Sequence, residues 1–378
     1  MRVMMDQAKK RRAFPISRKP GAGRQAFRRV VLLFLLIAGL IISQTGCGKK
    51  QEPVSQDGFY LDTVCTITLY AMEDWSEEKA ETILTEAFAS CAEYEALLSK
   101  TREGSDVWKV NHADGAPVPC DPRTVELIEK GIHYGELSDG RFDITIGAVT
   151  DLWDFHGVGT PQVPDETVLA EALSHVDYRG IQIEGNEVTL ADPAAQLDLG
   201  GIAKGYIADR LTEQLADAGV TGAVIDLGGN ITVLGYKDGK ETEIRVGIRK
   251  PFGSSLSDLI GTTSLHDASC VTSGTYERHF EKDGVFYHHI LDARTGYPVP
   301  TDMDGVTVIG PADASADCDA LATTVLLLGS DEAEALFANP EFAGFSYVIV
   351  QLDTPHESSS GYSLLKGGAG NWDLSGLE

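Results

Sequence analysis

The chain has 378 residues, 43% of them hydrophobic, and a formal charge of −26 at neutral pH. That length holds one large domain or two ordinary ones, and the apolar fraction is ample for a core. So acidic a body argues against nucleic-acid binding, which rests on Lys and Arg neutralising phosphates, and makes a divalent cation a natural companion of any bound polyphosphate.

The charge is uneven. Residues 1–29 carry ten Lys or Arg against the single acid Asp6, and they run into the apolar stretch VVLLFLLIAGLII at 30–42, then Ser-Gln-Thr-Gly46-Cys47. A basic start, a short apolar run and small residues at its end make a secretory signal. The run is shorter than the about 20 residues of a spanning helix. Thr-Gly-Cys resembles a lipobox, in which Cys47 is diacylated and becomes the new N-terminus. An uncleaved anchor is the alternative, because Gln44 stands where such signals usually carry an aliphatic residue. Residues 1–47 are therefore expected to hold the body on the extracytoplasmic face of the membrane, as in a bacterial lipoprotein. The other cysteines, Cys65, Cys91, Cys120, Cys270 and Cys318, form no CxxC and give neither a zinc nor a redox motif. Buried thiols are expected.

Residues 48–57, GKKQEPVSQD, read as a polar tether, so the fold should begin near Phe59. Alternating β-branched residues predict a strand over 63–71, and helical spacing behind Ser76 predicts a helix to Leu98. A helix over 122–137 follows, ended by Ser-Asp-Gly140. In GRFDITIGAVTDLW, at 140–153, Asp143 lies in an apolar context, so it either caps local backbone or touches a ligand. A loop precedes a short helix over 166–173 that Asp165 can cap. AQLDLGGIAKGYIADRLTEQL, at 195–215, predicts a strand running through Gly200-Gly201 into a helix with Lys204 in its first turn. Such a turn lets backbone approach a ligand, and the helix start offers N–H groups to an anion; a tight turn with a solvated lysine is the plainer alternative. Neither GxGxxG nor GxxxxGK[ST] is present. IDLGG at 225–229 echoes LDLGG at 197–201, which suggests two similar turns approaching one region.

The second half predicts strands at 222–226, 231–236, 243–248, 262–265, 270–272, 285–291, 305–310 and 345–350, with helices at 316–328 and 331–338. The end of the chain from 365 looks frayed, with 367–378 as a tail. No Pro/Ser-rich linker divides 59–366, so a single α+β domain over 58–366 is expected.

Two runs concentrate the chemistry: VFYHHILDARTGYP at 285–298 and ADCDALATT at 316–324. Adjacent strand residues point to opposite faces, so one of His288 and His289 faces a site there. His289, nearer the 292–296 turn, is favoured as a general base, a bonded core histidine being the alternative. Asp319 and Thr323 lie four apart, on one helix face near its first turn. Two such hard oxygens suit Mg²⁺, or Mn²⁺, and leave room for substrate phosphates. With the glycine turn upstream, the residues predict a site that splits a pyrophosphate.

The ordered series TVCTITLY, GRFDITIGAVTDLW, LDLGGIAKGYIADRL, VIDLGGNI, SGTYERHF, HHILDARTGYPV and CDALATTVLLLG resembles the ApbE, or flavin-trafficking lipoprotein, family of FAD:protein FMN transferases. The resemblance implies Mg²⁺-dependent cleavage of FAD, transfer of FMN to a threonine hydroxyl of an acceptor protein, and release of AMP. It implies a metal held by Asp319, Thr323 and the Gly201 carbonyl, and catalysis by His289. It also implies flavin-nucleotide contacts from Asp198, Lys204 and Asp292, an FAD pocket lined by Arg141, Phe142 and Asp143, and further FAD contacts at Leu61 and Thr101. Leu61-Asp62-Thr63 replaces the family's usual Met-Gly-Thr, Ala293 replaces a proline, and Thr101 stands where an aromatic is common. The implied acceptor is a subunit of a membrane redox complex, of the Rnf or Na⁺-pumping NADH:quinone oxidoreductase (Nqr) type, or another extracellular flavoprotein. An FAD pyrophosphatase and a non-catalytic flavin-binding lipoprotein are the alternatives.

Overall fold

The computed structural model describes residues 52–155, 161–255, 257–357 and 359–377. The expected signal segment, with Cys47, lies outside them. The described strands are β1 (Val54–Tyr60), β2 (Thr63–Met72), β3 (Val118–Pro119), β4 (Ile181–Glu184), β5 (Glu187–Leu190), β6 (Val220–Leu227), β7 (Asn230–Gly235), β8 (Ile244–Arg249), β9 (Leu259–Leu265), β10 (Ala268–Gly274), β11 (His279–Lys282), β12 (Val285–His288), β13 (Gly305–Pro311), β14 (Ser346–Leu352) and β15 (Tyr362–Gly368). The helices are α1 (Glu77–Leu98), α2 (Asp106–Asn111), α3 (Pro122–Leu137), α4 (Gly147–Trp153), α5 (Glu166–Leu173), α6 (Ala203–Asp217), α7 (Ser315–Leu328) and α8 (Ser330–Phe337).

An eight-stranded sheet in the order β1-β2-β6-β7-β10-β13-β14-β15 forms the frame, antiparallel at every pairing. In β2 the alternation TVCTITLY buries Cys65, Ile67 and Leu69 on one face. That face packs with α1, α6 and α7 into the main core. The ribbon β8-β9 covers part of the opposite face through Ile244, Val246 and Leu265. This is the expected α+β class.

Helix starts follow local capping chemistry. Ser76 accepts from Lys79 N, Asp121 from Arg123 N with Pro122 behind it, and Asp165 from Thr167 N and Val168 N. The two helices nearest the candidate site depart from this rule. Neither Ile202, before α6, nor Ala314, before α7, supplies a side-chain cap. α7 is sunk in the core along nearly its whole length, and Gly205 of α6 lets the Ser315 carbonyl come so close that a Cβ there would overlap it.

Four sequence expectations need correction. β1 begins at Val54, inside the expected 48–57 tether, because residues 54–60 find a partner in β2 from Val54↔Leu69 to Tyr60↔Thr63. The C-terminus is not frayed: β15 pairs with β14 through Gly368, and Leu377 is buried against Ile248 and Ile260. Residues 195–199 make a single parallel bridge, Ile146↔Gln196, rather than a strand, since the Gly200-Gly201 turn leaves them no sheet neighbour to follow. The strand expected over 285–291 stops at His288, where the β11-β12 hairpin ends.

Candidate active site

Asp319 lies at the start of the second turn of α7, which begins one residue earlier than expected, and is 2% exposed. Its Oδ2 accepts from Gly205 N (3.0 Å) and stands 3.8 Å from Lys204 Nζ. Burial pushes the carboxyl above its ordinary range, opposed by Lys204, the Gly205 N–H and the Asn230 amide. One turn along, Thr323 Oγ1 is 3.2 Å from Ser273 Oγ, on β10. Asn230 is buried at the start of β7, and its Nδ2 makes no hydrogen bond of ordinary geometry within the chain.

The two DLGG turns converge here with different backbones, since Gly228 and Gly229 take left-handed φ (67° and 95°) and Gly200 and Gly201 do not. Asp198 Oδ1 accepts from Gly200 N (2.9 Å), and Asp226 Oδ1 from Gly229 N (2.8 Å). The first turn leads to Lys204 and Gly205, the second to Asn230, and all three meet Asp319. At Gly201 a Cβ would sit 3.1 Å from the Phe142 ring, so the buried Phe142 and a glycine at 201 go together.

The histidine pair separates cleanly. His288 is buried; its Nε2 donates to Val299 O (3.2 Å) and its Nδ1 accepts from Ile290 N (3.3 Å), which uses both nitrogens. His289 lies just past β12, so strand alternation does not govern it. Its Nδ1 donates to Arg278 O (3.2 Å), as does its backbone N (3.0 Å), and a carbonyl partner at Nδ1 leaves Nε2 as the unprotonated nitrogen. Burial, with Arg278, His288 and Lys204 adding to it, pushes His289 down to about 3. The ring is neutral at physiological pH.

The other predicted residues fall into two groups. Asp198 and Asp143 spend both carboxylate oxygens inside the chain, and Arg141 and Asp292 each make bonds there. Asp198 Oδ2 accepts from Thr150 Oγ1 (2.7 Å) and pairs with Lys100 Nζ (3.0 Å). Burial pushes that carboxyl up, but Lys100, the Gly200 N–H and Thr150 outweigh it and hold it down at about 2. Asp143 takes the capping role of its two alternatives, accepting from Thr145 N and Oγ1 (2.7 and 2.6 Å) and Tyr178 N (2.8 Å). Arg141 donates to Leu327 O (2.8 Å) in the last turn of α7 and lies 3.6 Å from Asp292, whose Oδ1 accepts from Arg294 N (2.9 Å). These bonds, with Trp153 Nε1 donating to Gly296 O (2.8 Å), fix the 292–296 turn.

Leu61 is half-buried against the main core and Thr101 is exposed. Leu61 and Asp62 both take left-handed backbone (φ 56° and 57°), and Leu61 N donates to Glu95 Oε1 (2.8 Å). That turn explains why a glycine suits position 62, and Asp is among the residues that tolerate it. Thr101 bonds only its neighbour Ser99 among the described residues. Sequence reasoning missed Lys100, Asn230 and Ser273. The last two sit inside segments already singled out, whereas a lone lysine at the end of a helix carries no local signal.

The donor set around Asp319 fits a hard divalent cation. It offers one carboxylate and two hydroxyls, all hard oxygens, and among the described residues no group of three or more His, Cys, Asp or Glu stands together that could hold a metal ion. The nearby cation Lys204 suits the phosphates such a cation would accompany.

The sequence profile of the ApbE family matches residues 61–345. The chain is 35% identical over 348 residues to a Treponema pallidum protein named FAD:protein FMN transferase, covering 88% of this chain and 93% of that one. A Klebsiella pneumoniae protein of the same name is 37% identical over 278 residues, 72% and 84% of the two chains. Among solved structures, the ApbE protein of Thermotoga maritima is similar with a TM-score of 0.71 at 28% identity, covering 82% of this chain and 96% of that one. The flavin transferase ApbE of Vibrio cholerae shares the fold, with a TM-score of 0.71 at 24% identity over 84% and 98%. With the family profile spanning most of the described domain and the Treponema relative matched over 93% of its length, the chain belongs to the ApbE family.

Proposed function

We propose that this chain is an FAD:protein FMN transferase, which cleaves the FAD pyrophosphate, attaches FMN to a threonine of an acceptor protein and releases AMP. The observation that carries the reading is Asp319: a buried carboxylate one helical turn from the Thr323 hydroxyl, facing Lys204 and the first turn of α6.

Asp319 and Thr323, with the Gly201 carbonyl, would hold Mg²⁺ or Mn²⁺. When bound, the cation supplies positive charge that polarises the pyrophosphate and stabilises the leaving AMP. Lys204, 3.8 Å from Asp319, places an ammonium where phosphate charge develops. His289 is held neutral with Nε2 unprotonated, so it can accept the proton of the incoming threonine hydroxyl. The threonine oxygen bonds to the FMN phosphorus as the bond from that phosphorus to the bridging oxygen breaks, and AMP carries the bridging oxygen away. Phe142 and Leu61 supply apolar surface for the flavin. Asp198, Asp143 and Asp292 act by fixing the turns that meet the nucleotide through their bonds within the chain, and Arg141 ties the 292–296 turn to the end of α7.

The basic, apolar and Thr-Gly-Cys order of residues 1–47 supports a lipid-anchored protein on the extracytoplasmic face. The acceptor would then be a membrane redox subunit of the Rnf or Nqr type, or an extracellular flavoprotein. Incubating the protein with FAD, Mg²⁺ and a threonine-bearing acceptor tests the reading: covalently flavinylated acceptor and AMP support it. Free FMN with unmodified acceptor identifies a pyrophosphatase, and unchanged FAD a binding protein.

A further inference from the structure

We infer that Asp209 is a positioning residue: from α6 it caps the start of α7 and so sets where Asp319 and Thr323 stand. The inference rests on the proposed function only for what those two residues hold.

Both helices lack a cap of their own, and each is capped by the other. Asp209 Oδ1 accepts from Ser315 N (2.6 Å) and Oδ2 from Ala316 N (3.0 Å). In return Asp319 Oδ2, on α7, accepts from Gly205 N (3.0 Å), in the first turn of α6, where a helix has no internal acceptor for its N–H groups. The two pins are four residues apart on α6, Gly205 to Asp209, and run from Asp319 back to Ser315 and Ala316 on α7. Two points of attachment fix both the separation and the rotation of α7 against α6, which one would not.

The space between the pins leaves no slack. A Cβ at Gly205 would overlap the Ser315 carbonyl and lie 2.7 Å from Ala316 Cα. Asp209 is itself buried, at 6% exposure, so the link is not a mobile surface contact. Its neighbour Asp317 is used elsewhere, pairing with Lys130 Nζ (2.7 Å) and Tyr134 Oη (2.9 Å) on α3. Asp209 is the side chain that ties the α7 start to the helix carrying Lys204, and a cap built on Ala314 could satisfy the α7 N–H groups without making that tie.

This difference separates positioning from plain stabilisation. In the full-length protein, Asp209→Ala removes the tie, and adding Ala314→Ser restores a cap within α7 alone. The first readout is hydrogen–deuterium exchange of a peptide containing Gly205, whose N–H depends on Asp319 staying in place. The second is the apparent Mg²⁺ affinity, read from flavin fluorescence in a Mg²⁺ titration at fixed FAD. Positioning predicts faster exchange at Gly205 and Mg²⁺ affinity weakened about tenfold or more, as for other residues that orient a metal ligand. It also predicts a maximal turnover at saturating Mg²⁺ that falls far less. In the double variant the melting temperature recovers while both readouts stay displaced. Wild-type exchange at Gly205 in folded Asp209→Ala, or recovery of exchange together with melting temperature in the double variant, overturns the inference. Asp209→Asn, which keeps one acceptor oxygen, carries the same comparison if the alanine variant does not fold. A wild-type protein whose flavin binding and turnover ignore Mg²⁺ contradicts the metal reading instead, and the exchange measurement still decides the role of Asp209.

Discussion

Lys100 offers the sharpest perturbation of the site's foundation. Its ammonium is nearly enclosed, with a side chain 11% exposed, and reaches Asp198 (3.0 Å), Asp151 (2.7 Å), Thr150 Oγ1 (2.7 Å) and the Gly147 carbonyl (3.3 Å). Lys100→Met keeps the stem and removes the charge, leaving the Asp198 carboxylate with Thr150 and the Gly200 N–H alone. Stripping one partner from a buried pair costs about 3–5 kcal/mol. The bonds that Asp198 retains reduce this, so a loss of about 2–3 kcal/mol at pH 7 is expected. The pH dependence follows from Asp198. Its folded pKa of about 2 lies below the ordinary 3.8, so its contribution is present above about pH 4 and is lost as pH falls toward 2. Without Lys100, burial raises that pKa, so the difference between variant and wild type is largest at neutral pH and shrinks on acidification. Urea unfolding at pH 7 and pH 3 measures both. Because Asp198 holds the Gly200 turn, KM for FAD should rise more than kcat falls. An unfolding free energy within about 0.5 kcal/mol of wild type at pH 7, or full additivity with Asp198→Asn, refutes the reasoning.

His289→Ala should still bind FAD, while transfer falls by roughly 10²–10⁴, as measured by single-turnover flavinylation. Because the fold holds His289 down at about 3, wild-type kcat should show no loss centred near the ordinary histidine value of 6.5; an acid limb there that disappears in His289→Ala would contradict the neutral-base role. Asp319→Ala should cost roughly 10² or more in kcat/KM and flatten the Mg²⁺ dependence, and wild-type Mg²⁺ dependence in that variant would remove Asp319 from the metal site. Gly205→Ala should destabilise by about 1–3 kcal/mol in urea melts, because the new methyl meets the Ser315 carbonyl, and an unchanged midpoint would show that α6 and α7 can part freely.

Local patterns announced much of this fold. Ser76, Asp121 and Asp165 mark helix starts because a side-chain oxygen bonding backbone two or three residues on is a local event, and the helices from Glu77, Pro122 and Glu166 begin where those residues say. β2 was legible from its alternation. The 54–60 strand was not, because VSQDGFY has three polar residues and a glycine between its ends and becomes a strand only by pairing with β2. The C-terminal strand likewise depends on β14.

At the site, the spacing that puts Asp319 and Thr323 on one helix face could be reasoned from the residues, whereas strand alternation could not separate His288 from His289, which lies past the end of β12. What each carboxylate does could not be reasoned either. Asp143, Asp198 and Asp292 look like ligand-binding groups in sequence, yet their partners Tyr178, Lys100 and Arg141 lie 35, 98 and 151 residues away or arrive from another element. The reciprocal capping of α6 and α7 is invisible for the same reason: Asp209 and Ser315 are 106 residues apart. Only tertiary structure reveals that Ile202 and Ala314, poor caps by type, are relieved by side chains from the facing helix.

The account stands most directly on whether this chain makes a covalent flavin bond to protein. Mass spectrometry of a threonine-bearing acceptor, co-expressed with the wild-type chain and separately with Asp319→Ala, measures it. The account predicts FMN on one acceptor threonine with the wild type and unmodified acceptor with the variant. Unmodified acceptor alongside the wild type, with FAD consumed to free FMN and AMP, or equal flavinylation by both chains, would contradict it.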